Sequence, residues 1–384
     1  MHDATAAPPQ TVVLKETLDA LSSIAIADWP VIKRPLTWCL QSFIIASSNG
    51  RVWRKMSSPD RVSTPSSTRA PRRNGERFRM TPGSSRAEML ADTVCVVAGG
   101  GNGLGEAAAH ELANRGATVV VADRGTAVDG EGSDPAVPAR VAADIREAGG
   151  EATAHHLDVS DFDDAQRLVD ETVSEHGRLD FVANFAGILR DGMSYKLDPE
   201  DWQAVVKTNL TGQFAPLQAA CAHWRTESDE SGFDRQRSYL AVSAGAARGN
   251  LGQANYAAAK AGVLGMVRSV STEMYRSDVR VNALIPNGYT RMTETVPEEH
   301  RPYTREEMPP EKVAPMVAYL ASEAAADVTG CTFYAGGDRV GVLEDPSMAA
   351  VGVEPGGWSA ESLVDHFAED VAADLELTRT DTHF

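Results

Sequence analysis

Thr93-Val-Cys-Val-Val-Ala98 runs into Gly99-Gly-Gly-Asn-Gly-Leu-Gly105 and then into Glu106-Ala-Ala-Ala-His-Glu-Leu-Ala113. The first six residues are mostly apolar, long enough for a buried strand and too short for a helix. The alanine-rich stretch is a strong helix former, and Asn114-Arg-Gly116 ends it. Ala117-Thr-Val-Val-Val-Ala122 predicts a second buried strand that closes on Asp123. Strand, glycine turn, helix, strand and acid make the first half of a dinucleotide-binding βαβ unit. Gly99, Gly103 and Gly105 allow a tight turn and close approach of the backbone to a pyrophosphate, whose charge meets the helix N-terminus. Asp123 is placed to accept hydrogen bonds from the adenosine ribose. A glycine-rich loop alone is often only a turn. The two flanking strands and the terminal acid favour the dinucleotide reading here.

Tyr256 and Lys260 stand four residues apart in Asn255-Tyr-Ala-Ala-Ala-Lys260, with Ser243 thirteen positions before the tyrosine. On a helix this spacing puts both side chains on one face. A cation there favours the phenolate and lowers a pKa that is otherwise near ~10. That arrangement suits proton transfer to and from a carbon-bound oxygen. Alone, the pair equally fits an aromatic ring packed beside a solvated lysine. The glycine turn is the second motif that moves the reading towards chemistry.

The spacing G-x-x-x-G-x-G differs from the G-x-G-x-x-G of common dinucleotide folds. From about Leu90 to about Pro346 the chain resembles the classical short-chain dehydrogenases/reductases, whose T-G-x-x-x-G-x-G appears with Ala98 in place of threonine. Asp158-Val159 resembles the pair that contacts adenine. Asn184-Phe-Ala-Gly187 resembles N-N-A-G, with Phe185 departing. Asn209 in Thr208-Asn-Leu-Thr-Gly212 matches the asparagine of a catalytic tetrad that Ser243, Tyr256 and Lys260 complete. The resemblance implies an α/β fold, a Rossmann-type doubly wound parallel sheet in three αβα layers. The implied reaction interconverts a secondary alcohol and a ketone by NAD(P)-dependent hydride transfer.

Several stretches resemble one branch more closely: Gly187-Ile-Leu-Arg-Asp191, Gly249-Asn-Leu-Gly-Gln-Ala-Asn-Tyr256, Pro286-Asn287, Arg291-Met-Thr-Glu-Thr-Val296 and Pro310-Glu-Lys-Val-Ala-Pro315. That branch is the (3R)-hydroxyacyl-CoA dehydrogenase (17-beta-hydroxysteroid dehydrogenase type 4) domain of peroxisomal multifunctional enzyme type 2 and its actinobacterial relatives. It implies a 3-hydroxyacyl-CoA or hydroxysteroid substrate. The Gly-, Asp- and Pro-rich insertion from Gly125 to Pro138 also fits, although such loops are tolerated at small thermodynamic cost.

By resemblance, Ser243 donates to the substrate oxygen, Tyr256 moves the proton, and Lys260 lowers the phenol pKa and binds the nicotinamide ribose. Asn209 anchors a water, and Thr290 touches the nicotinamide carboxamide. Gly99, Gly103, Leu104, Gly105, Asp123, Asp158, Val159, Asn184, Ala186, Gly187 and Pro286 complete the implied cofactor set. Taken singly, Ser243 also fits a solvated strand-end serine and Asn209 a turn former. Asp123 favours NAD, because a carboxylate repels the 2′-phosphate of NADP, while the adjacent Arg124 leaves NADP open. Two other functions stay in play: a catalytically silent NAD-binding sensor or scaffold, and a dehydratase or epimerase of the extended family. The latter normally carry G-x-x-G-x-x-G, and silent members usually lose tetrad residues.

Composition fits a soluble cytoplasmic enzyme: 384 residues, 42% hydrophobic, net charge −18. The charge argues against nucleic acid or an anionic membrane as partner. Cys39, Cys95, Cys221 and Cys331 show no paired spacing, so no disulfide framework is implied. The nine histidines form no metal-ligand pattern, and no metal site is expected. Residues 1–86 differ in character, with about 13 Lys+Arg against 6 Asp+Glu. Ser57 to Arg86 reads as disordered, Leu14 to Ile26 as one amphipathic helix, and Leu36 to Ala46 as too short to span a membrane. Lys33-Arg34 and the apolar residues after it also fit a secretory signal, although a true signal would lie nearer Met1. The expectation is that 1–86 is not part of the working enzyme, with Met80 and Met89 near the family's usual start.

The fold domain is expected over 87–346, followed by an acidic tail, 347–384. There Ser359 would cap a helix carrying Leu363, Val364, Phe367, Val371 and Leu375 on one face. Met292 to Pro310 resembles a substrate loop, with Arg291, Arg301 and Arg305 as candidates for CoA phosphates. Thr226 to Arg237 reads as a surface insertion. A homodimer or homotetramer through Thr211–Cys221 and Tyr256–Met274 is implied by the resemblance.

Overall fold

The computed structural model of the protein describes residues 89–230, 233–373 and 375. The expectations for residues 1–86 lie outside the described residues. Contacts divide the chain into two units, whose described parts are 89–347 and 348–375.

The first unit is an eight-stranded sheet. Its strands are β1 (Val94–Ala98), β2 (Thr118–Asp123), β3 (Glu151–His156), β4 (Phe181–Asn184), β5 (Arg237–Val242), β6 (Val279–Asn287), β7 (Thr332–Gly336) and β8 (Arg339–Leu343). They lie in the order β3-β2-β1-β4-β5-β6-β7-β8. All neighbours are parallel except β8, which returns antiparallel along β7. The connecting helices are α1 (Gly103–Asn114), α2 (Ala136–Glu147), α3 (Phe162–His176), α4 (Pro199–Val206), α5 (Gly212–Glu230), α6 (Ala254–Met274), α7 (Arg291–Glu294) and α8 (Ala314–Ala321).

The central strand β1 is apolar and buried at every position because both its faces are covered. In β1, Cys95 and Val97 face one core with Leu112 of α1, Ile145 of α2 and Val317 of α8. Val94, Val96 and Ala98 face the other, with Leu168 of α3, Trp224 of α5 and Val267 of α6. These are the three αβα layers. The helices use ordinary caps. Asp161 accepts from Asp163 N at 2.9 Å to open α3, and Gly177, at φ +77°, closes it.

Two features depart from regular helix. Lys207–Thr211 forms a single wide π turn joining α4 to α5. Pro216 lies inside α5 and has no N–H to give the carbonyl one turn back. That carbonyl, Gly212 O, accepts from Asn184 Nδ2 at 2.7 Å instead. The segment from Thr226 is also not simply a surface insertion. Thr226 to Glu230 continues α5, and Arg237 opens β5 at 2% exposure. Buried Arg237 Nη1 pairs with Asp180 Oδ1 at 2.6 Å, at the opposite end of the strands from the glycine turn.

In the second unit, Ser359 Oγ accepts from Ser362 N at 3.0 Å and caps α9 (Ala360–His366). The helix is shorter than expected, giving way to a wide turn over Phe367–Val371. Leu363, Val364 and Phe367 are exposed, whereas Val371 lies against Gly352.

Candidate active site

Strand order reverses at β1, so the connections after β1 and β4 leave in opposite directions and open a crevice at their carboxyl ends. A cleft of about 280 Å³ occupies it, lined by the glycine turn, Asp123, Ser243, Tyr256, Lys260 and Thr290 among others.

The turn is tight enough to require glycine. Gly99 has φ +68°, and a Cβ there would collide with the backbone N of Ala186. A Cβ on Gly105 would overlap the Gly99 carbonyl oxygen. Asn102, ahead of α1, makes no side-chain cap bond. The leading N–H groups of α1 therefore stay available to an anion. Leu104 reaches across to Gly288, where a Cβ would come within 3.0 Å of it. Asp123 accepts from Gly101 N at 2.9 Å through one carboxylate oxygen and from Gly125 N at 2.7 Å through the other. Each oxygen keeps a lone pair for a ribose hydroxyl. Arg124 Nη1 pairs with Asp158 Oδ2 at 3.4 Å, and Ser160 holds the other Asp158 oxygen at 2.6 Å. Val159 and Asp158 both line the cleft.

The opposite wall is the chain leaving β4. Asn184 Oδ1 accepts from Ala186 N at 3.1 Å and bends the backbone towards Gly187. Gly187 has no room for a side chain, since a Cβ would lie 2.6 Å from Asn209 Oδ1. Asn209 sits in the π turn, fully buried, with Nδ2 donating at 3.0 Å to both Ile188 O and Val205 O. An extra residue in the turn frees such carbonyls and re-aims side chains, which is why π turns recur at functional sites.

Lys260, Tyr256 and Ser243 meet on the third side. Lys260 is 2% exposed, and its Nζ donates to Val242 O at 2.9 Å. The same Nζ lies 5.6 Å from the centroid of the Tyr256 ring. Ser243 Oγ donates to Lys260 O at 2.8 Å. Burial pushes the Tyr256 phenol up, and the Asp191 charge adds to the rise. Burial pushes Lys260 down to about 7. In the protein's own groups, burial is the largest influence on both pKa values.

The lowered lysine leaves a signature in stability. In the unfolded chain Lys260 holds its proton up to about 10.5. Between about pH 7 and 10.5 the unfolded state thus binds more protons, and stability rises with pH across that window. Lys260→Met is expected to raise the melting temperature at pH 7, by about 2–4 °C per kcal/mol recovered, and to flatten the rise towards pH 9.5. Thermal melts across that range check it. An unchanged slope would show that Lys260 is not the titrating group.

Thr290 caps α7, its hydroxyl accepting from Met292 N at 3.2 Å while Thr293 Oγ1 accepts from Thr290 N. Pro286, the penultimate residue of β6, lines the cleft. Asn287 accepts from Tyr303 OH at 2.6 Å, which pulls the 292–310 loop over the cleft. Among the arginines proposed for phosphates, Arg301 donates inward to Val296 O and Tyr289 OH. Arg291 donates to Thr126 O, and Arg305 pairs with Glu311.

Three contributors have no signal in the sequence. Gln213 is fully buried, donating to Asn184 O at 2.9 Å and accepting from Val242 N at 3.1 Å, which ties β4 to β5. A glutamine in a helical stretch reads as surface until its partners are known. Tyr303 is hidden in a charged loop. Arg190 binds the 125–138 insertion, whose Thr126, Val128 and Gly130 line the cleft. Elsewhere Glu106, His110 and Asp144 come together, but Arg140 already bonds both carboxylates, at 2.8 and 3.2 Å. Among the described residues no helix is long and apolar enough to cross a membrane.

A family model described as Enoyl-(Acyl carrier protein) reductase matches residues 98–337. The chain is 36% identical over 274 residues to the hydroxyacyl-CoA dehydrogenase ChsB1 of Mycobacterium tuberculosis, covering 70% of this chain and 84% of that one. It is 37% identical over 251 residues to the mouse peroxisomal multifunctional enzyme type 2, covering 65% of this chain. The match spans only 32% of the mouse protein. Among solved structures, a short chain dehydrogenase from Mycobacterium avium superposes with TM-score 0.66 at 33% identity, over 76% of this chain and 98% of that one.

Proposed function

The chain belongs to the short-chain dehydrogenase/reductase family, and on that premise we propose a 3-hydroxyacyl thioester dehydrogenase that uses NAD. As a family member it is an NAD(P)-dependent oxidoreductase acting on hydroxyl or keto groups. The observation that carries the reading is the meeting of Ser243, Tyr256 and Lys260 with the glycine turn on one cleft. The cleft fits a dinucleotide: the turn has no room for a Cβ, the α1 N-terminus lacks a side-chain cap, and Asp123 faces the space. When bound there, a nicotinamide supplies or accepts the hydride.

The protein's own groups handle the proton and the charge. Ser243 reorients its hydroxyl from Lys260 O to the substrate oxygen, stabilising the negative charge that develops in reduction. Tyr256 delivers the proton, or removes it in oxidation. Lys260, poised near pH 7, exchanges that proton with solvent through a water held at Asn209, and contacts the nicotinamide ribose. Gly99, Gly103, Leu104 and Gly105 hold the pyrophosphate, Asp158 and Val159 the adenine, and Asn184, Ala186, Gly187, Pro286 and Thr290 the nicotinamide side. Asp123 supports NAD over NADP, since the neighbouring Arg124 is paired with Asp158. A cytoplasmic homodimer or homotetramer, with residues 87–346 as the catalytic domain, completes the reading.

One observation favours a second substrate class. Arg291, Arg301 and Arg305 are all engaged by the protein, while the 292–310 loop carries Glu294, Glu298, Glu299, Glu306 and Glu307. Such a rim suits an uncharged alcohol, such as a hydroxysteroid, better than a polyphosphate handle. An NADH-absorbance screen over 3-hydroxyacyl-CoAs, hydroxysteroids and simple secondary alcohols separates the two. The expected result is a higher kcat/KM for hydroxyacyl-CoAs, and for NAD over NADP by about tenfold or more. Preference for steroids would overturn the thioester reading, and preference for NADP would overturn the role given to Asp123.

A further inference from the structure

As sequence, Gly125 to Pro138 is a tolerated insertion after β2; in the structure Ala136 to Pro138 already belong to α2. Its contacts are too many and too directed for a passive loop. At its base, Gly125 N donates to Asp123, Asp134 N donates to Arg124 O at 3.0 Å, and Ser133 Oγ lies 2.9 Å from His156 Nε2. At its tip, Val128 O accepts from Leu189 N at 2.9 Å. Gly130, at φ +89°, leaves room for Ile188, which a Cβ would meet at 3.0 Å. Arg190 then grips the tip: Nε donates to Asp129 O at 2.8 Å, Nη2 to Glu131 Oε1 at 2.6 Å, and Nη1 to Asp201 Oδ1 at 3.2 Å on α4. From the start of α7, Arg291 Nη1 donates to Thr126 O at 3.0 Å.

The segment thus spans the cleft from the end of β2 to the chain beyond β4, with Thr126, Val128 and Gly130 on the cleft wall. We propose that Thr126–Glu131 is a strap across the flank of the dinucleotide cleft, that Arg190 is the positioning residue that latches it, and that its opening sets the rate of cofactor exchange. The inference rests on the dinucleotide reading of the cleft. A planar guanidinium with three acceptors fixes one strap position, and a lysine or glutamine could not reproduce that fork. Because the latch joins the strap to the same Ile188–Arg190 chain that Asn209 holds, cofactor release and the order of the Asn209 turn are mechanically linked.

The test is stopped-flow displacement of NADH by excess NAD, followed by NADH fluorescence, on the full chain. Arg190→Gln and Glu131→Arg are compared with the unaltered protein. Glu131 is 73% exposed, so its reversal places a repelling charge beside Arg190 without disturbing the core. Both variants are expected to release NADH about tenfold faster, roughly one charge-assisted hydrogen bond's effect. KM for NAD should rise in parallel, while the melting temperature without NADH moves little in Glu131→Arg. Release by Glu131→Arg within about twofold of the unaltered protein would overturn the latch, even if Arg190→Gln fails to fold. Failure of the unaltered protein to bind NADH at all would overturn the dinucleotide reading instead.

Discussion

Tyr256→Phe is expected to lower kcat by about 10³ to 10⁴, the scale of a lost general acid–base group, while NADH affinity stays within a few-fold. The ring is retained, so its packing beside Lys260 survives and only the hydroxyl is removed. Burial pushes the phenol up, away from the pKa that best suits proton transfer at neutral pH, so the loss is not expected to exceed that range. Initial rates with NAD and a hydroxyacyl-CoA, beside a fluorescence titration with NADH, separate chemistry from binding. Turnover that survived the change would remove Tyr256 from proton transfer.

Gly105→Ala is expected to destabilise the fold by about 2–3 kcal/mol, the range of a forced overpacking. At about 2–4 °C per kcal/mol, the melting temperature falls by roughly 5–10 °C. The sign is the informative part. Gly105 lies in the first turn of α1, and glycine to alanine inside a helix ordinarily stabilises by about 1 kcal/mol. Here the added methyl would overlap the Gly99 carbonyl oxygen, which belongs to the backbone and cannot rotate away. Relief requires α1 to shift from β1, which also spoils the turn, so NADH affinity should fall together with stability. A melting temperature that held or rose would show that the close approach of helix and strand is not tight.

What could be read from the sequence was local. The βαβ unit declares itself because strand, turn, helix and acid follow within about thirty residues, and each carries its own pattern. Tyr256 and Lys260 are visible because one helical turn links them. Gln213, Tyr303 and Arg190 were not visible, because each acts through partners brought near by the fold. Gln213 contacts Asn184 and Val242, and Arg190 contacts Asp129 and Glu131. The effect of burial on the lysine and the tyrosine was also beyond the sequence. Spacing brings a cation near a phenol, but the dielectric around them, set by the folded core, decides which way each pKa moves. The arginines of the 292–310 loop show the same limit: composition offers them to a ligand, and geometry ties Arg301 to Val296 O.

Pro216 carries a consequence that runs against ordinary expectations of helix improvement. Alanine there would restore an N–H to α5, and the helix itself would gain up to about 3 kcal/mol in propensity. The restored donor would seek Gly212 O, the acceptor that Asn184 now uses. Gly212 O would then share its two lone pairs between a helix donor and Asn184, weakening the bond that anchors the amide whose Oδ1 shapes the bend into Gly187. A better helix would therefore make a looser wall beside the reacting centre. The proline is a defect kept in one element so that a distant side chain has somewhere to bind, a local form of the trade between stability and activity.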